Sequence, residues 1–135
     1  MTDAPLVAKK LAIVETCIRE LRGMARLEHL RNDVRERRFV EHTLQVAIQA
    51  ALDVASHIVS DERLGEPDTN RGLFALLESA GWIDPPLSAS LQRMAGFRNV
   101  LVHGYADVDL GVVEDAVRSG LADLERFLGA VRARS

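Results

Sequence analysis

Arg98, Asn99, His103 and Tyr105 fall within eight residues of one another in the stretch Phe97-Arg98-Asn99-Val100-Leu101-Val102-His103-Gly104-Tyr105. The spacing is an arginine, four residues, a histidine, one residue and a tyrosine. It brings together a guanidinium that can grip a phosphate in bidentate fashion, an imidazole that titrates near neutrality and a phenol. The chain has four histidines and one tyrosine, and no other segment gathers such groups. An arginine and a histidine without clustered carboxylates suit metal-free RNA cleavage. In that reaction the histidine takes a proton from the ribose 2'-hydroxyl, the freed oxygen attacks the adjacent phosphorus, and the leaving 5'-oxygen is protonated.

These side chains need a helix to hold them. Leu87, Leu91, Met94, Phe97, Leu101 and Val102 are apolar at helical spacing, which predicts a helix from Pro86 or Ser88 with His103 in its last turn. Gly104 stands where a left-handed cap would end the helix, leaving Tyr105 at or just past that end. At about 100° per residue, Asn99 and His103 share a face within about 40°, whereas Arg98 and His103 diverge by roughly 140°. Asn99 could therefore orient the imidazole or contact the phosphate beside it. A flexible arginine could partly close the gap to His103, or two copies of the motif could meet across a twofold axis, which predicts a homodimer. On residues alone, the same spacing also fits a surface arginine, a capping histidine and a half-buried tyrosine.

The remaining elements read as helices too. Val7, Leu11, Val14, Ile18, Leu21 and Ala25 mark a first helix ending near 23–26. After a break at Arg31-Asn32-Asp33, the residues Val40, Leu44, Ala47, Ala51, Val54 and Ile58 mark a second, over about 33–60. The run Leu64 to Asn70 is a loop, a short helix over 70–80 stops at Gly81, and a final helix over about 109–132 carries Val113, Val117, Leu121, Leu124, Leu128 and Val131. No strand is expected. The prediction is an all-α antiparallel bundle of about five helices, one domain over residues 1–135.

Composition narrows the function classes. Hydrophobic residues make up 47%, charged 27% and aromatics 4%, so Leu, Val, Ile and Ala must fill the core. The single cysteine, Cys17, lies among apolar positions of the first helix and reads as a small buried hydrophobe. Residues Met1 to Lys10 lack a signal-peptide pattern, and no apolar run nears the roughly 20 residues of a membrane span, so a cytoplasmic protein without a membrane is expected. A net charge of -3 argues against non-specific duplex binding, and DNA is not expected as a partner. Lys9 and Lys10 are the only lysines, and Arg31, Arg35, Arg37 and Arg38 read as a solvated helix start with ion pairs to Asp33, Glu36 and Glu41.

Other candidates are bland. Asp53 and His57 sit at i, i+4, yet no third metal ligand is evident, so a hydrogen bond or ion pair along the helix is expected. His29 and His42 read as surface residues, and Trp82 as a packing anchor before Asp84-Pro85-Pro86. No cofactor or metal is expected.

The segment Met94 to Tyr105 resembles the signature of the HepT-like toxins of the HEPN superfamily, with its Arg-x4-His-x-Tyr motif intact. The likeness extends to Leu44–Ile58 and to Leu76–Trp82, and covers most of the chain. The resemblance implies a homodimeric, metal-independent endoribonuclease acting as the toxin of a type VII toxin–antitoxin pair. Arg98 and His103 match its catalytic residues, and Asn99 the polar residue that follows the arginine. It further implies a minimal nucleotidyltransferase antitoxin, MntA-like, that adenylylates Tyr105 and so adds bulk and negative charge where an RNA phosphate would bind. The competing reading is a non-catalytic, nucleotide-binding partner subunit of a nucleotidyltransferase; a plain helical dimerisation scaffold is the third.

Overall fold

The computed structural model describes residues 4–103 and 108–134, all of whose regular elements are helical. Helix α1 spans Ala4–Met24, a 3-10 turn covers Leu27–His29, and α2 spans Val34–Asp61. Helix α3 is Asn70–Ser79, α4 is Pro85–His103, and the last helical run comprises α5 (Leu110–Asp115), a π-helical turn (Ala116–Gly120) and α6 (Leu121–Ala133). The expected final helix is therefore continuous in course but holds a π turn in its middle. A Cβ at Gly120 would stand 2.7 Å from Met94 Cε of α4, so the missing side chain makes room where the two helices meet.

Local chemistry sets the helix ends. Asp33 caps α2, its Oδ1 accepting from the N–H groups of Arg35 at 2.9 Å and Glu36 at 3.4 Å. Asp84 does the same for α4: its Oδ1 accepts from Leu87 N at 2.9 Å and its carbonyl from Ser88 N at 2.9 Å, which places Pro85 and Pro86 in the first turn, where a missing N–H costs nothing. Helix α3 closes with Gly81 at φ 80, the N–H of Trp82 reaching Leu77 O at 2.9 Å and that of Gly81 reaching Glu78 O at 3.0 Å. This paired pattern needs a left-handed residue, which glycine supplies without strain.

Helix α1 packs along α2 and α3 along α4, while α2 lies against both α3 and α4, and α6 closes the bundle over α1 and α4. The core is mainly aliphatic, and within it the rings of Phe74 and Phe127 meet edge to face with centroids 5.7 Å apart. Cys17 is buried within it, and burial, with Glu20 adding to it, pushes its thiol pKa up. Trp82 is half-buried before α4, and the Arg134 guanidinium stacks 4.0 Å above its ring. His29 and His42 are exposed.

The arginines around the start of α2 divide: Arg37 and Arg38 bring their charges to Glu41, as expected, while Arg31 turns elsewhere. Arg31 reaches Glu114 Oε2 at 3.7 Å rather than Asp33, Glu36 or Glu41, because Asp33 is engaged as a cap and Glu36 Oε2 accepts the Arg26 backbone N–H at 2.8 Å. No described helix is long and apolar enough to cross a membrane.

Candidate functional site

The C-terminal half of α4 carries the motif. Leu91, Met94, Ala95 and Leu101 are buried and anchor the helix, with Phe97 packed partly buried against the same core. Arg98 is half-buried, while Asn99 and His103 are exposed. His103 is the last residue of α4. Gly104 and Tyr105 lie outside the described residues.

Asn99 engages Arg98. Arg98 Nη1 donates to Asn99 Oδ1 at 3.2 Å, and among the described residues no hydrogen bond joins His103 to either of them. Within one chain, then, the Arg98 guanidinium is bonded to Asn99 and not to His103. Asn99 lies on the exposed side of α4 and turns its amide oxygen towards the arginine.

Arg98 also borders a cavity of about 210 Å³ between α4, α1 and α2, lined by Lys10, Ile13, Gln45, Gln49 and Asp53 among others. Asp53 is central to it: Lys10 Nζ stands 3.0 Å from Oδ2, and Gln49 Nε2 donates to Oδ1 at 2.9 Å. The expectation that Asp53 forms a bond or ion pair along its helix holds for Gln49, one turn back, and not for His57. Sequence spacing did not single out Lys10 or Gln49. The i, i+4 relation of Gln49 and Asp53 was available, but the approach of Lys10 and Arg98 depends on how α1 and α4 meet α2. No cluster of three or more His, Cys, Asp or Glu side chains able to hold a metal ion occurs among the described residues.

Val100 is 43% exposed, beside the exposed Asn99 on the outer side of α4. It stands between Asn99 and His103 in the chain, so the polar groups of the motif flank an apolar contact point.

Comparison with known proteins identifies the family and the fold. A model of the family described as ribonuclease HepT-like matches residues 13–131. The mRNA nuclease HepT of Shewanella oneidensis is 31% identical over 129 residues, 95% of this chain and 97% of that protein. The tRNA nuclease HepT of Aphanizomenon flos-aquae is 32% identical over 93 residues, 69% of this chain and 63% of that protein. A solved structure of the tri-AMPylated Shewanella oneidensis HEPN toxin in complex with an MNT antitoxin superimposes with a TM-score of 0.88 at 31% identity, over 98% of this chain and 99% of that one. With the all-α bundle, the intact Arg98-x4-His103-x-Tyr105 spacing and these matches together, the chain belongs to the ribonuclease HepT-like family.

Proposed function

We propose that this chain is the toxin of a type VII toxin–antitoxin pair, an endoribonuclease whose Arg98 and His103 act in a cleft formed by two copies. The observation that carries the reading is the geometry of α4 in a HepT-like chain: a guanidinium held by Asn99, and an exposed imidazole at the helix end on a different side. One copy aims these groups apart, and a second copy seated against the exposed Val100 brings Arg98 of one near His103 of the other.

In the cleft, Arg98 holds the scissile phosphate and offsets the negative charge that builds on its oxygens. One neutral His103 imidazole takes the proton of the ribose 2'-hydroxyl. The 2'-oxygen bonds to phosphorus, the bond from phosphorus to the 5'-oxygen breaks, and a protonated imidazole from the second copy gives the 5'-oxygen its proton. The products are a 2',3'-cyclic phosphate and a 5'-hydroxyl. The nucleophile belongs to the substrate and is absent from deoxyribose, so RNA is cut and DNA is not.

Tyr105 is the regulatory position. A nucleotidyltransferase partner transfers AMP to its phenol oxygen, placing phosphate charge two residues from His103 and repelling the RNA backbone. The tri-AMPylated relative bound to an MNT antitoxin supports this reading. The test is peptide mapping after co-expression with a minimal nucleotidyltransferase of the MNT class. The peptide containing Tyr105 gains one or more AMP masses and cleavage is lost; adducts confined to other residues overturn the assignment.

A further inference from the structure

Asp53 has both carboxylate oxygens engaged, one by Lys10 Nζ at 3.0 Å and the other by Gln49 Nε2 at 2.9 Å. A carboxylate only accepts hydrogen bonds, so it can hold the Gln49 amide only by its NH₂ end. That fixes the direction of the opposite end, Oε1. Gln49 Oε1 is buried with no hydrogen-bond partner among the described residues, and so is Arg98 Nε. The two residues line the same cavity of about 210 Å³. One atom is an acceptor and the other carries a donor proton, and leaving either unmet in a buried place is costly.

We infer that Gln49 is the positioning residue for Arg98: its Oε1 accepts the Arg98 Nε–H through a water held in the cavity, with Asp53 and Lys10 keeping the amide turned that way. The cavity far exceeds the roughly 30 Å³ that one water occupies. Arg98 is then held at two points, through Nε by Gln49 and through Nη1 by Asn99. Two fixed points set the plane of the guanidinium and leave Nη2 for a phosphate oxygen. Asp53 thereby acquires a role two steps from the reacting atoms.

The inference rests on the reading that Arg98 engages the scissile phosphate, and the test separates the two. Gln49→Leu keeps the side-chain volume and removes the acceptor. Steady-state RNA cleavage by this variant should fall roughly 10- to 100-fold in kcat, the scale of a misplaced catalytic group, with KM nearly unchanged and the melting temperature close to that of the parent. Asp53→Asn lets the amide turn round and should lower kcat in the same direction. In ¹⁵N-resolved NMR spectra the Arg98 Nε–H proton should be protected from solvent exchange in the parent and lose that protection in Gln49→Leu. Unchanged kcat and an unchanged Nε–H signal in Gln49→Leu, alongside an inactive Arg98→Ala, overturn the role of Gln49 and leave the site intact. A fully active Arg98→Ala overturns the reading of the site itself.

Discussion

Arg98 Nη1 donates to Asn99 Oδ1 across 3.2 Å, so the two residues that begin the motif act as one unit on the surface of α4. The residue after the arginine thus serves the guanidinium before it serves the imidazole. A single exposed hydrogen bond is worth about 1 kcal/mol, so Asn99→Ala should slow RNA cleavage only about five-fold. Arg98→Lys should be far more damaging, because an ammonium cannot reproduce the fork that meets a phosphate at two points. Comparing kcat for the two variants on one RNA checks the order, and an Asn99→Ala variant slower than Arg98→Lys would contradict it.

Cys17 should be chemically silent in the folded protein. Burial and the nearby Glu20 both push its thiol pKa up, which keeps the unreactive protonated form at neutral pH. Alkylation by iodoacetamide at about pH 8, followed by mass spectrometry, should be slow in buffer and rapid in denaturant. Equal rates in the two conditions would contradict the packing of α1.

The edge-to-face contact of Phe74 and Phe127 joins α3 to α6 through the centre of the core. Phe127 is fully buried, so Phe127→Ala removes both its buried area and the ring contact. The expected loss is about 3–5 kcal/mol, read as a lower urea midpoint. A loss of less than about 1 kcal/mol would mean the core closes around the vacancy far better than this packing allows.

Much of this architecture was legible in the sequence, for identifiable reasons. The apolar spacing of Val40 through Ile58 and of Leu87 through Leu101 marked two helices and their buried faces, and Asp33, in the polar break read before the second helix, caps it. Arg98, Asn99 and His103 lie on one helix, so the divergence of Arg98 from the face shared by Asn99 and His103 followed from helical rotation alone. The Lys10–Asp53–Gln49 cluster beside Arg98 did not follow, since it depends on contacts between helices far apart in the chain. The π turn at Ala116–Gly120 was equally hidden, because apolar spacing from Val113 to Leu128 reads through it as an ordinary helix.

Glu41 supplies a pH dependence. Burial raises its pKa despite the opposing charges of Arg37 and Arg38, and its Oε2 is buried without a hydrogen-bond partner among the described residues. The folded state therefore binds this proton more tightly than the unfolded chain. Its contribution to stability is favourable below the raised pKa and fades as pH rises through it. Glu41→Gln should raise the melting temperature at about pH 7, with the gain shrinking as pH falls and approaching zero near about pH 3, below the ordinary glutamate value of about 4.3, where the carboxyl is protonated in both states. Thermal unfolding followed by circular dichroism at the two pH values checks the sign, and a variant less stable than the parent at neutral pH would reverse it.

The central claim is that His103 moves a proton during RNA cleavage, and one assay meets it directly. Purified parent and His103→Ala proteins, with Tyr105 shown by peptide mass to be unmodified in both, are incubated with one synthetic RNA and the product ends analysed. The parent should cut and leave 2',3'-cyclic phosphate termini. His103→Ala should lose roughly 10²- to 10⁴-fold in rate while melting at the same temperature. Full cleavage by His103→Ala would remove the histidine from the chemistry, and no cleavage by the unmodified parent would favour a non-catalytic, nucleotide-binding subunit instead.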